Sequence, residues 1–334
     1  MKRRSLLGLG ALAVAAPLAG CRQYRAEEEE PPPVVSHSPR TPDPSAVPTP
    51  IVTSGGGPVP MEYGAVMLGA YVDLRGLKPA AGIDLRRRQL GHPERIVHRY
   101  YSWTDQLPVT LSYVPPESTL MVSWRGPAYK KVNGGSSDKL IARAARRLAE
   151  RKRPTLLRWG WDMNRAFYDW GGPDNNKDTA GYVKAYRRIH RIFREEGASN
   201  VSWVWSPNWN SRPDEAWNAF TRYYPGDEYV DWAGVSGYAQ AQTPSAMFDE
   251  FYETYATRKP IMITEVSAVD RGGTTKPDWI TSFREWVKEH PAVGAVVWFD
   301  TDTHPGSREK WRIDSTAASL AAYKAMSSDP VFTG

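Results

Sequence analysis

Between residues 65 and 300 the chain repeats one pattern, a short apolar, β-branched run followed by a longer polar or amphipathic stretch. That alternation constrains the fold more than any other feature. Strands that alternate with helices pair in parallel and bury both faces of their sheet. The runs fall at 65–73, 95–103, 119–124, 155–161, 201–207, 229–238, 260–266 and 293–300. Helical periodicity is clearest at 136–152, 178–197, 243–257 and 277–290, and STAASLAAYKAM supplies a last helix. Ser137 or Asp138, Asp178, Thr243 and the Lys276–Pro277 pair are the expected helix starts. Eight strands over 61–334 predict a single (β/α)8 TIM barrel. An open doubly wound sheet is the alternative, but no Gly-x-Gly-x-x-Gly follows a strand to favour nucleotide binding.

The first sixty residues do not share the pattern. MKRR precedes a 16-residue apolar stretch ending in LAGC, which resembles a bacterial lipobox with Cys21 as the lipidated residue. The stretch is too short to span a bilayer comfortably. Residues 1–20 are therefore expected to be a signal peptide, with RRSLL resembling a twin-arginine export signal. Residues 21–60, rich in Pro, Ser, Thr and Gly, are expected to be a disordered tether. The mature protein would be an exported envelope lipoprotein, held to the membrane through Cys21 and acting as a monomer. Cys21 is the only cysteine, so no intramolecular disulfide is possible. Removing Lys2, Arg3 and Arg4 with the signal leaves 40 basic against 37 acidic residues. That balance is mild and diffuse along the sequence, which argues against nucleic acid as a partner.

The exits of the strands carry chemistry. Active sites of such barrels lie at the C-terminal strand ends. Here those ends hold Asp73, Trp103, Trp124, Trp161–Asp162, Asn208, Tyr238, Glu265 and Trp298. Acids among aromatics fit a sugar-binding cleft. Retaining glycoside hydrolysis uses two carboxyls about 5–5.5 Å apart. Asp162, after the fourth strand, and Glu265, after the apolar KPIMIT, are the natural pair.

Four segments, in order, make a resemblance specific. RWGWDMNRAFYDWGG (158–172) is similar to the acid/base segment of glycoside hydrolase family 26, the β-mannanases and related β-glucanases and xylanases. VWSPN (204–208) with YYPGDEYVDWAGVSGY (223–238) resembles the fifth-strand and sixth-strand region of that family. KPIMITEVS (259–267) resembles its nucleophile strand, and WFD (298–300) with WRIDS (311–315) its last strand and the segment that follows. The resemblance implies Glu265 as nucleophile, Asp162 as general acid/base, and Arg158 and Asn164 as residues that orient the acid. It implies Tyr238 beside the nucleophile and Trp298 as a sugar platform. Trp124 and Trp170 are further platform candidates, and Trp161 a neighbour of the acid. A polysaccharide substrate is implied, with no metal or organic cofactor. The six His residues offer no His-x-x-x-His or similar ligand pair, and no Gly-x-Ser-x-Gly elbow is present.

This chain departs from the family where the acid stands. The usual pattern is His-Glu-Met-Asn-Gly, whereas here it is Trp161-Asp162-Met163-Asn164-Arg165. Asp is one methylene shorter than Glu, and Arg165 is expected to lower the pKa of Asp162, against the need of a general acid. Three outcomes are open: an adjusted barrel in which Asp162 still serves, a wider gap that gives inversion, or a catalytically impaired glycan-binding lipoprotein.

Overall fold

The computed structural model describes residues 51–304 and 311–333. The expected signal peptide, Cys21 and most of the tether lie outside those residues. Eight parallel strands close into one barrel in sequence order. They are β1 (Met67–Asp73), β2 (Ile96–Tyr101), β3 (Thr119–Trp124), β4 (Thr155–Trp159), β5 (Val201–Trp205), β6 (Trp232–Ala239), β7 (Ile261–Ala268) and β8 (Val293–Thr301). Around them lie α1 (Pro79–Leu90), α2 (Tyr129–Asn133), α3 (Asp138–Glu150), α4 (Thr179–Glu195), α5 (Pro244–Tyr255), α6 (Thr275–Glu289), α7 (Ala317–Ser327) and α8 (Pro330–Thr333). Asp178 and Thr243 cap α4 and α5 through their side chains, accepting from Gly181 and Ala246 N–H. Ser137 makes no such bond, and α6 begins two residues before Pro277. α1 was not expected from periodicity, because one of its buried positions is charged: Arg86.

Strand parity divides the side chains into an inner and an outer set. At the closed end the inner set is apolar: Ile96, Met121, Leu156, Val204, Trp232, Met262, Ala295 and Val297. Val59 and Met61 join this cluster from outside the barrel strands. The tether expectation is therefore corrected over 51–60. Val59 N–H donates to Ser202 Oγ (2.8 Å), Ser202 Oγ donates to the Gly56 carbonyl (2.7 Å), and Val52 N–H donates to the Ala256 carbonyl (2.8 Å). Trp232 Nε1 donates to the carbonyls of Gly56 and Val59. Gly56 has φ +89°, and a Cβ there would collide with the Val59 carbonyl and the Trp232 ring, so only glycine fits this plug.

The positive charge is less diffuse than its sequence distribution implied. α3 and α4 lie side by side, joined by Arg188 to Asp138. On α4, Lys184, Arg187, Arg191 and Arg194 line one surface pocket together with Glu228, and Arg191 is paired with Glu195.

A second buried polar group ties β8 to α1. Arg86 donates to both oxygens of Asp300 and of Asp314. Nearby, Tyr323 Oη donates to Glu94 at 3.3 Å. Burial, reinforced by the Asp300 charge, pushes the Glu94 carboxyl up to about 8. The fold therefore holds a proton that the unfolded chain releases near pH 4.5. Stability falls as pH rises through the window from about 4.5 to 8. Glu94→Gln should raise the melting temperature by several degrees at pH 8.5 and change it little at pH 5, measured by calorimetry at both pH values.

Candidate active site

Glu265 owes its position to a bulge. β6 pairs Val235 with Ile263 but Ser236 with Glu265, and β8 pairs Val296 with Ile263 but Trp298 with Val266. Both neighbours skip a residue, so Thr264 and Glu265 turn inward in succession. Thr264 Oγ1 meets Ser206 Oγ at 2.6 Å across the interior. Glu265 is not the end of its strand, as expected, but lies in the middle of it. Val266 and Ala268 resume outward packing, and Ser267 Oγ donates to the Trp311 carbonyl at 2.9 Å.

Three donors converge on the Glu265 carboxylate: the Arg158 guanidinium and the Tyr100 hydroxyl on one oxygen, and the Tyr238 hydroxyl on the other. Glu265 is 3% exposed. Arg158 is itself fixed, its Nε donating to Ser123 Oγ at 2.8 Å. Ser123 has one proton, so it donates to His98 Nε2 at 2.6 Å. Burial, with the charges of Arg158 and Arg99, keeps His98 well below its usual range and neutral. Inward positions of β2, β3 and β4 thus build a row behind the carboxylate. The resemblance had Arg158 orienting the acid, but its direct bond is to Glu265.

Asp162 follows β4 in a left-handed conformation, φ +51°. Asp tolerates this better than most residues, and such backbone persists only where its surroundings enforce it. Its N–H donates to the Ser206 carbonyl at 2.9 Å. One carboxyl oxygen accepts from Ser236 Oγ, and the other is 3.4 Å from Asn208 Nδ2. Asn164 acts one step back: it bonds both the N–H (2.9 Å) and the carbonyl (2.8 Å) of Asn208. Burial raises the Asp162 pKa and outweighs Arg158, Ser236, Arg165 and Asn208, which all pull it down. Arg165 does pull it down, as expected, but burial outweighs that pull. Arg165 turns to Asn210, donating to Oδ1 at 2.7 Å, and lies over the Phe167 ring. The net direction suits a general acid.

Among the tryptophans, Trp161 is buried between Tyr100, Tyr168 and Trp170, with the Arg158 guanidinium 5.0 Å from its ring centroid. The platform expectation is corrected for the other three. Trp124 faces outward from β3, stacks on Trp103 and meets Phe193 of α4. Trp298 faces outward from β8 against Trp279 and Tyr323. Trp170 is buried, stacked on Tyr168, with Nε1 donating to the Trp161 carbonyl at 2.6 Å. The inward aromatics of the mouth are Tyr71, Tyr100, Tyr238 and Phe299, with Trp311 against Tyr238. Two of these were legible by parity: Tyr100 follows His98, and Phe299 follows Val297, each by two.

A parallel barrel whose mouth holds two buried carboxyls amid aromatics and hydroxyls has the architecture of the barrel glycoside hydrolases. The chain belongs to Glycosyl hydrolase family 26, whose profile matches residues 106–317. It is 30% identical over 277 residues to Endoglucanase H of Acetivibrio thermocellus, spanning 77% of this chain and 30% of that protein. It is 31% identical over 166 residues to the β-1,3-xylanase TXYA of a Vibrio species, covering 48% of this chain and 33% of that one. The chain thus spans about a third of the length of these relatives. Among solved structures, a β-mannanase from Bacteroides ovatus shares the fold with a TM-score of 0.58 at 16% identity, over 80% of this chain and 90% of that one.

Proposed function

We propose that this protein is an endo-acting β-glycosidase that cleaves internal bonds of a mannan, mixed-linkage β-glucan or xylan type of polysaccharide. The observation that carries this is the contrast between the two acids. Glu265 accepts three hydrogen bonds, one from a guanidinium, as an ionised nucleophile does. Asp162 sits where burial favours its proton. In the first step the Glu265 carboxylate attacks the anomeric carbon while Asp162 passes its proton to the glycosidic oxygen, and the leaving sugar departs as an alcohol. In the second, the Asp162 carboxylate takes a proton from water, whose oxygen displaces Glu265 at the same carbon, with net retention. Neither step needs a metal or an organic cofactor.

The test is release of new reducing ends from a panel of β-glycans by the domain from residue 51 onward. Release from one class supports the proposal and names the substrate. Binding of a glycan with no release would leave the binding-protein alternative.

The sequence before residue 51 supports a location. MKRR, the apolar stretch and LAGC fit export and lipidation at Cys21, which would place the enzyme on the cell envelope. Cys21→Ala should move the protein from the membrane fraction to the soluble fraction on fractionation. Unchanged membrane association would remove the anchor.

A further inference from the structure

We infer that Ser236 is the positioning residue of the short acid, and that Asp162 and Ser236 form a unit in which neither is exchangeable alone. This deepens, and rests on, the assignment of Asp162 as acid/base.

Asp162 cannot make up its missing methylene by moving its backbone. The left-handed residue is held through its N–H by the Ser206 carbonyl and through its own carbonyl by Arg165 N–H. Its reach is therefore set from the other side. Ser236 is fully buried, and its own backbone is fixed. Its N–H donates to the Pro207 carbonyl (3.0 Å), and its carbonyl accepts from Trp209 N–H (2.8 Å), which brackets Asn208 in a parallel bridge. The Ser236 hydroxyl and the Asn208 amide thus approach Asp162 from one rigid corner. Ser236 also stands in register with Glu265 across the β6–β7 ladder. One residue of β6 therefore fixes the acid relative to the nucleophile.

A hydroxyl also suits a group that must exist in two protonation states. Toward the ionised carboxylate, Ser236 donates. Toward the neutral acid, the same oxygen accepts, and its proton turns toward the Pro207 carbonyl, 3.5 Å away. An alanine serves neither state. A glutamate at 162 would carry its carboxyl about one bond length further, into the volume that Ser236 fills.

The experiment is a set of variants assayed over pH on the glycan that the panel identifies. Ser236→Ala should lower kcat roughly ten- to hundredfold, as expected for an acid misplaced by about 1 Å. It should also move the high-pH limb of kcat/KM upward, because a donor to the charged form is lost. Ser236→Thr should return that limb to its original position. Asp162→Glu alone should be slower than the parent, and Asp162→Glu with Ser236→Ala should recover at least tenfold over Asp162→Glu. An unmoved limb in a folded Ser236→Ala variant would overturn the assignment, as would an Asp162→Glu variant faster than the parent with Ser236 intact. Failure of the underlying assignment reads differently: Asp162→Asn would then keep its rate whatever stands at 236.

Discussion

Glu265→Gln should abolish reducing-end release, with a loss on the order of 10⁴-fold or more, while the barrel stays folded. Gln matches Glu in size, so packing is kept and the chemistry is what changes. An amide oxygen is a poor nucleophile toward the anomeric carbon, so the covalent intermediate no longer forms. The surroundings add to the loss. Arg158, Tyr100 and Tyr238 all aim donors at position 265. A carboxylate accepts all three, but an amide offers one acceptor oxygen and an NH2 that meets a donor. One bond of the three must break or turn. Initial rates on the responsive glycan, beside circular dichroism of both proteins, check this. A variant that keeps even a hundredth of the parent rate would move the nucleophile elsewhere.

Asp162→Asn should cost about 10²–10⁴-fold on polysaccharide, the range expected for a lost general acid. The loss should depend on the leaving group. A sugar hydroxyl leaves badly without a proton, whereas an aryl glycoside with an acidic phenol leaves almost unaided. The first step on such a substrate should be far less impaired, and a burst of phenol should precede slow turnover, because the second step still lacks its base. The parent should lose activity as pH rises through the Asp162 pKa, which burial raises. The kcat/KM profile of the variant should lack that limb. Equal losses on both substrate types would sink the assignment of Asp162.

How much of this was legible in the sequence follows from what each feature depends on. The eight strands were readable because a strand buried on both faces needs a continuous apolar run, and such runs are local. α1 was not, because its inner face includes Arg86, which only Asp300 and Asp314, more than two hundred residues away, make tolerable. Glu265 and Asp162 stood out as acids beside apolar or aromatic runs. Of their partners, Arg158, Asn208 and Tyr238 were already in view, whereas Tyr100 and Ser236 were not. Ser236 is an ordinary serine in GVSGY until β6 brings it against Asp162. The bulge at Thr264 arises from the register of two neighbouring strands, which no single strand records. The platform tryptophans failed for a simpler reason. Trp124 ends β3 and Trp298 lies within β8, both with outward parity, and an even count from Met121 or from Ala295 reaches Ser123 and Val297 instead. The pull of Arg165 on Asp162, three residues away, was legible, but the burial that outweighs it was not, because it depends on how the whole mouth packs.

Under the proposed function, the plug formed by residues 51–61 has a consequence for how the domain would meet a polysaccharide. It closes the pole opposite the catalytic mouth, so anything that holds the chain upstream of residue 51 grips the domain from behind. A fibre or a long dissolved chain can then drape across the mouth without first running into the point of attachment. Cutting in the middle of a polymer requires that freedom of approach, which an attachment beside the mouth would obstruct.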